Sequence, residues 1–293
     1  MSGVTQEAVR TTTRVADWRS TLRRWIPKRW YAHVILITAC FLSGIPLFYA
    51  LIVSTQTNAE VFRYQFTPGT GLAENWNLVF NVRHLHDYMI NSVIMAAGIT
   101  FFKTLFSLLS GLAFVYFRFP GKWLVFGFVL ITLMMPTEVL IIALFRFIND
   151  LNWQNTYLAL IVPFTASATG TFLFRQHFAS IPAELSEAAQ LDGANPLQFL
   201  FRVLVPMSWN TIGALAVVQV IYAWNMYLWP NMIITNPDLQ TIQTGIGALR
   251  SSGGALQFGP LMLGAVFTSL PPVLVFILLQ KQFMSGFTLT RDK

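Results

Sequence analysis

The chain has 293 residues, of which 55% are hydrophobic and 11% charged, and its formal net charge is +7. Soluble domains carry about 25% charged residues, so this composition and a mean hydropathy of +0.56 exclude an ordinary soluble protein and indicate an integral membrane protein. The single cysteine, Cys40, excludes a disulfide within the chain and a cysteine-based metal cluster.

Six apolar stretches are long enough to cross a bilayer, which takes about 20 residues because lipid cannot satisfy backbone hydrogen bonds. In chain order they are 33–54, 88–116, 123–148, 157–178, 211–228 and 261–283. They predict an all-α integral membrane fold with six transmembrane helices in one domain, residues 31–293, preceded by a basic cytoplasmic tail, residues 1–30. Two longer connections on the opposite side, 55–87 and 229–260, are available to an external partner.

The lysines and arginines predict the orientation, because cytoplasmic flanks carry the excess of these residues. Most of the 19 fall beside the two termini, the turn after the second span and the segment 182–206, whereas Arg63, Arg83, Arg146 and Arg250 fall on the other side. Both termini are therefore predicted to be cytoplasmic. The positive charge reflects topology and does not indicate nucleic-acid binding, and the basic, aromatic tail suits contact with anionic membrane lipid.

Two ionisable residues lie inside predicted spans, Lys103 in the second and Glu138 in the third. A charge in lipid is costly and usually faces a protein interior or an aqueous path. Three interpretations stay open: the two side chains pair with each other, they line the path of an anionic cargo, or they contact a partner subunit.

A polar, helix-forming connection, residues 182–206, joins the fourth and fifth predicted spans. A helix at its start places Glu184 and Glu187 in the first turn, where negative charge complements the helix dipole. Gly193 permits a bend, and Pro196 suits the first position of a second short helix. We therefore predict two short helices that meet at a bend and dock a partner, and we call residues 182–206 the elbow.

The elbow carries a spaced signature of Glu-Ala-Ala, a glycine after three residues, and an ending of two alternate apolar residues before proline. In this sequence the signature residues are Glu187, Ala188, Ala189, Gly193, Val203, Val205 and Pro206. The segment resembles the cytoplasmic coupling signature of importer-type ABC transporter permeases, which have a type I (MetI-like) fold. The resemblance implies that the elbow forms coupling helices that bind an ATPase subunit through Glu184, Glu187, Ala188, Ala189, Asp192, Gly193 and Pro206.

The same resemblance implies the other partner proteins and the cellular location of the chain. These partners are a homologous second permease subunit, two ATPase subunits that bind ATP and Mg, and an extracytoplasmic substrate-binding protein, all at the bacterial inner membrane. The chain itself is then expected to hold no cofactor, no metal and no catalytic group. Its sequence lacks a Gly-rich Lys-Ser/Thr phosphate loop, and its four histidines lack zinc-protease spacing.

Further runs narrow the resemblance. Asn91-Ser92, 117–122 and 135–138 are similar to runs in carbohydrate-type permeases of the maltose-importer class. The runs 224–230 and 270–273 look most like the second permease subunit of glycerol-3-phosphate and glycerophosphodiester importers. The implied cargo is such a phosphorylated polyol, with a di- or oligosaccharide of the maltose or trehalose type as the alternative.

Polar and aromatic residues within the spans are candidates for the cargo pathway. Polyols are commonly met by aromatic faces with a few polar groups, although tryptophan and tyrosine also anchor helices at the membrane interface. The candidates are Asn91, Ser92, Glu138, Trp224, Asn225 and Tyr227.

Two other classes of protein fit the sequence less well. An integral membrane enzyme acting on lipids needs clustered acids or histidines, and the acids here are scattered. A sensor needs a signalling domain, for which the predicted cytoplasmic tails are too short.

Overall fold

A computed structural model describes residues 30–249, 251–252 and 255–287, so the basic tail lies outside the described residues except for Trp30. The regular secondary structure of the described residues is helical apart from an antiparallel pairing of Ser251–Ser252 with Ala255–Leu256, which confirms the all-α class. The α-helices in chain order are α1 (Trp30–Val53), α2 (Asn58–Phe62), α3 (Leu72–Trp76), α4 (Leu85–Tyr116), α5 (Lys122–Thr132), α6 (Thr137–Asp150), α7 (Tyr157–Ile161), α8 (Ala168–Ala179), α9 (Ala183–Leu191), α10 (Pro196–Phe199), α11 (Val205–Met207), α12 (Trp209–Trp224), α13 (Leu228–Ile233), α14 (Ile242–Leu249) and α15 (Phe258–Phe287).

Short segments of other helix types extend some of these helices. Asn77–Val82 and Leu200–Leu204 are wound as π-helix, and Val162–Phe164 and Pro237–Leu239 as 3-10 helix. The chain divides into two units, one ending at Tyr49 and one beginning at Ala50. The described part of the first unit is helical, and the second contains all the remaining elements.

Three helices of the described chain are long and apolar enough to cross a membrane: α1, α4, and α15 over Phe258–Ser285. Two bent pairs raise the number of candidate spans to five: Tyr157–Phe164 with Ala168–Ala179, bent by 47°, and Pro196–Met207 with Trp209–Trp224, bent by 81°. The six continuous helices predicted from the sequence are therefore not all present.

The predicted third span, 123–148, is wrong as one helix, because α5 ends at Thr132 and α6 begins at Thr137. Pro136 precedes α6 with ψ at 129°, outside the helical range. Proline has no backbone N–H, and its ring clashes with the preceding helical turn. Only turn bonds such as Met135 N–H to the Thr132 carbonyl (3.2 Å) bridge the gap.

The fourth and fifth predicted spans are also interrupted. A 3-10 turn that includes Pro163 ends the first half of the fourth, and α8 begins afresh where the Ser167 hydroxyl accepts from the Gly170 N–H at 3.0 Å. The fifth ends at Trp224 instead of residue 228. The Met226 N–H donates to the Ala223 carbonyl, three residues back, at 3.2 Å, so the α-helical pattern of hydrogen bonds stops there.

The long helix α4 is the centre of the second unit, and it packs against α8 and α12, while α12 also packs along α15. Three apolar clusters lie along this assembly. The first includes Met95, Ile99, Leu160, Trp229 and Ile233, the second Leu108, Leu112, Phe174, Phe178, Leu200 and Leu204, and the third Val79, Leu85, Trp224, Ile242 and Leu263.

Small residues allow α4 and α8 to approach closely. A Cβ added at Gly111 would lie 2.7 Å from the Cβ of Phe174, and one added at Gly170 would collide with the Ser107 side chain. Helices in membranes associate through such packing, since lipid provides no hydrophobic drive between them. The contact between α4 and α8 therefore depends on glycine at both positions.

We expect Gly111→Ala to destabilise the protein by about 1–3 kcal/mol, because the added methyl group overpacks the contact with Phe174. Gly127→Ala is the matched control, since a Cβ at Gly127 in α5 meets nothing within 4 Å. Thermal unfolding in detergent checks both, and equal melting temperatures for the two variants would contradict the close packing of α4 and α8.

Candidate functional site

The first half of the elbow is the helix α9, which follows Pro182 and has no buried residue. Glu184 lies in its first turn, as expected, whereas Glu187 lies one turn further on. Glu184, Glu187 and Ala188 are exposed. The acidic side of α9 therefore faces away from the packed helices.

The bend of the elbow has the local structure that the sequence predicted. Gly193 has φ at +71°, and a Cβ there would meet nothing within 4 Å, so backbone conformation and not space requires glycine. Asn195 and Gln198 form a capping box, with Gln198 N–H donating to Asn195 Oδ1 at 2.8 Å and Asn195 N–H to Gln198 Oε1 at 2.9 Å. Pro196 is the first residue of α10.

The second half of the elbow is attached to the helix bundle. Phe199, Leu200 and Leu204 are buried in the cluster that α4 and α8 form with Leu112 and Phe178. A concavity of about 240 Å³ between the end of α4 and the elbow is lined by Leu112, Tyr116, Phe117, Ser186, Ala189, Gln190, Ala194, Pro196 and Phe199. The second half of the elbow is therefore in direct contact with α4.

Two exposed leucines on the elbow were missed by the sequence analysis. Leu191 is 90% exposed at the end of α9, and Leu197 is 54% exposed on α10. The two leucines lie on either side of the bend at Gly193, so we take them as candidate contact residues of the elbow. The sequence did contain a signal for Leu191: it stands beside Asp192 and Gly193 and does not belong to the apolar face of a predicted helix. Asp192 and Pro206, both predicted site residues, are also exposed.

A concave pocket of about 290 Å³ lies at the far end of α12 from the elbow, and we call it the α12 pocket. Its lining is mainly apolar and aromatic with a few polar groups, a composition typical of small-molecule sites. The lining residues are Ile141, Phe164, Ile221, Tyr222, Asn225, Met226, Tyr227, Leu228 and Trp229.

The α12 pocket brings together two predicted pathway residues, Asn225 and Tyr227, and both are exposed to it. It excludes a third, Trp224, which is buried against α15 and donates its indole N–H to the Thr268 carbonyl at 3.1 Å. Tyr222 lines the pocket and was missed, although it lies only two residues before the aromatic run that begins at Trp224. Trp229 also lines the pocket, and its indole N–H donates to the Ala159 carbonyl at 2.9 Å, which holds the ring in place.

Asn91 and Ser92 hold the segment before α14. The Asn91 amide donates to the Asp238 carbonyl at 2.7 Å and to the Gln240 carbonyl at 3.0 Å. The Ser92 hydroxyl accepts from the backbone N–H of Ile242 at 2.8 Å. The hydrogen-bonding groups of the two predicted pathway residues are therefore occupied within the chain.

Lys103 is 9% exposed and lies between α4 and α12. Its ammonium donates to Gln219 Oε1 at 3.1 Å and lies 4.7 Å from the centre of the Tyr222 ring. The Glu138 side chain, the predicted partner, lies outside the described part of the structure.

Three exposed side chains before and at the start of α4, His84, His86 and Asp87, have possible metal-ligand atoms within 4.8 Å of one another. His86 Nε2 lies 3.4 Å from Asp87 Oδ1, and both side chains are about half exposed. Metal-binding histidines are normally oriented by a second hydrogen bond, and an exposed group lacks the rigid surroundings that provide it. The arrangement gives little support to a metal site.

Known proteins with similar sequences are transport permeases. The chain is 40% identical to the sn-glycerol-3-phosphate transport system permease protein UgpE of Pectobacterium atrosepticum over 265 residues, which cover 87% of this chain and 94% of that protein. The corresponding protein of Salmonella typhi is 39% identical with the same coverage.

Solved structures with a similar fold include the crystal structure of a bacterial ABC transporter involved in the import of the acidic polysaccharide alginate. It matches with a TM-score of 0.76 over 86% of this chain and 95% of that chain, at 19% identity, which supports the fold alone. Residues 103–288 match the family described as binding-protein-dependent transport system inner membrane component. The chain belongs to this family, and it is a membrane permease subunit of the ABC importer type.

Proposed function

We propose that this chain is a permease subunit of an importer for glycerol 3-phosphate or glycerophosphodiesters in the bacterial inner membrane. The 40% identity to a glycerol-3-phosphate permease, over 94% of that protein, carries the proposal. The α12 pocket supports it, because aromatic walls with Asn225, Tyr222 and Tyr227 suit a small polyol.

The proposed topology has six passes with both termini in the cytoplasm. The broken pair α5 and α6 makes the third pass, since irregular backbone is tolerated at membrane depth where protein or water satisfies it. The cations of the turn after α4, Arg118 and Lys122, directly follow Phe117, which lines the concavity beside the elbow. Their common position supports a cytoplasmic elbow.

The elbow is proposed to couple this chain to an ATPase subunit. Its outer half is exposed and its inner half is packed on α4 and α8, so a partner that grips α9 moves the bundle as a rigid body. ATP binding drives such a change only if the ATPase binds one arrangement of the elbow more tightly than the other.

The remaining proposed partners complete a transport cycle. Two ATPase subunits bind ATP and Mg and perform the hydrolysis, and this chain provides no catalytic group. A homologous second permease subunit forms the other half of the path. An external binding protein delivers cargo to the connections 55–87 and 229–260, and alternating access follows from the tilt of the packed helices.

We expect the assembled importer to take up glycerol 3-phosphate in an ATP-dependent manner and to take up maltose at a rate lower by about two orders of magnitude, because a site built for one polar group rejects a cargo that lacks it. Uptake of radiolabelled cargo into proteoliposomes measures this. Preferential uptake of maltose or trehalose would replace the proposed cargo with the sugar alternative.

We expect Leu191→Asn to reduce retention of the ATPase subunit during purification by roughly tenfold, because an apolar anchor is removed from the docking surface. The fold should be unaffected, since Leu191 is 90% exposed. Leu256→Asn, at an exposed leucine in the strand Ala255–Leu256 before α15, is the control and should retain the ATPase. Equal retention of the ATPase subunit by both variants would show that Leu191 of the elbow does not contact it.

We expect Gly193→Val to impair ATP-driven uptake, because a β-branched residue at φ of +71° is strained by about 1–2 kcal/mol or more and the bend shifts. Gly121→Val is closely matched, since Gly121 has φ at +70° and equally open surroundings in a different turn. Initial uptake rates, normalised to the amount of importer, compare the two. A greater loss with Gly121→Val would argue against coupling through the elbow.

A further inference from the structure

A stripe of polar residues runs along one side of α4 in the middle of the proposed membrane domain. Thr100, Lys103, Thr104 and Ser107 are spaced by three or four residues and so share one helix face. The hydroxyls of Thr100, Thr104 and Ser107 are buried and have no hydrogen-bond partner within the described structure. Polar groups without partners between membrane helices cost free energy, so their presence indicates a functional site.

Lys103 is the charged member of this stripe. An ammonium has three N–H donors, and the described contacts are one hydrogen bond to Gln219 and the face of the Tyr222 ring. Among the described side chains, the ion pair within 4.0 Å joins His86 and Asp87. No described carboxylate therefore lies within 4.0 Å of the Lys103 ammonium. Neutral partners therefore surround a buried cation.

Tyr222 connects this cation with the α12 pocket. The ring of Tyr222 lines the pocket beside Asn225 and Tyr227, and the same ring contacts the ammonium of Lys103. The charge thus lies directly behind the pocket wall. A low-dielectric wall screens a charge poorly, so the ammonium attracts anions and repels cations in the pocket.

We propose that Lys103 selects the anionic cargo, with its ammonium turning past the Tyr222 ring to bind the phosphate oxygens as the cargo passes the α12 pocket. This inference rests on the proposed function, because it assigns the phosphate-binding group of the same importer. A charge-assisted hydrogen bond to a phosphate oxygen is about twice as strong as one to the neutral amide of Gln219, so an arriving phosphate competes well for the ammonium.

Lys103→Met tests the proposal, because it removes the charge and retains an unbranched side chain. The complete importer is reconstituted with its binding protein, and uptake of glycerol 3-phosphate and of a glycerophosphodiester is measured at pH 5.5 and pH 7.5. A phosphate monoester gains a second negative charge near pH 6, whereas a diester carries one throughout. ATP hydrolysis stimulated by the binding protein is measured in parallel.

We expect Lys103→Met to lower uptake of glycerol 3-phosphate roughly tenfold or more at pH 7.5, and less at pH 5.5. The loss of diester uptake should be smaller and the same at both pH values, and stimulated ATP hydrolysis should be retained. Two control variants accompany Lys103→Met. Gln219→Met keeps the Lys103 ammonium, and Lys122→Met removes a different lysine, which donates to the Phe117 carbonyl at 2.9 Å. Both controls should show the same dependence of glycerol 3-phosphate uptake on pH as the unmodified importer.

Equal losses for both cargoes at both pH values, together with lost ATP hydrolysis, would show a structural role and overturn the proposal. Unchanged uptake by Lys103→Met would also overturn it, while the proposed function would stand. If the unmodified importer took up neither phosphorylated compound, the proposed function and this inference would both fall.

Discussion

The close contact between α4 and α8 is the constraint on which the other features depend. Gly111 meets Phe174 and Gly170 meets Ser107 where a single methyl group would not fit. The inner half of the elbow packs against the same two helices, and α12 joins this cluster through Leu215. Because packed membrane helices do not deform gradually, this contact makes α4 a rigid member between the elbow and the pocket.

The elbow combines two regions with different exposure. Its outer helix, α9, buries no residue and leaves Leu191 exposed, whereas Leu200 and Leu204 are completely buried in the bundle. The bend at Gly193 joins the two halves with a defined backbone conformation and a capping box, so little displacement is lost in a flexible linker. This arrangement is the structural basis of the proposed coupling through the elbow.

Polar residues in the spans fall into two groups that differ in their partners. Asn91 and Ser92 are satisfied by backbone groups of the segment around residues 238–242, so they attach this segment to the start of α4. Lys103 has only a neutral amide and an aromatic ring as its described partners. Satisfied polar groups stabilise one structure, while an under-compensated charge is available to a ligand.

The sequence by itself determined the membrane class, the all-α fold and the two short helices of the elbow, because composition and local backbone chemistry at Gly193 and Pro196 decide these features. Apolar length did not determine the number of continuous helices, since Pro136 breaks a stretch that is otherwise long enough. Only the tertiary structure decided that Trp224 is core while Asn225, next to it, opens to a pocket. Which face of α12 is covered depends on α15, far along the chain, and no local pattern contains that information.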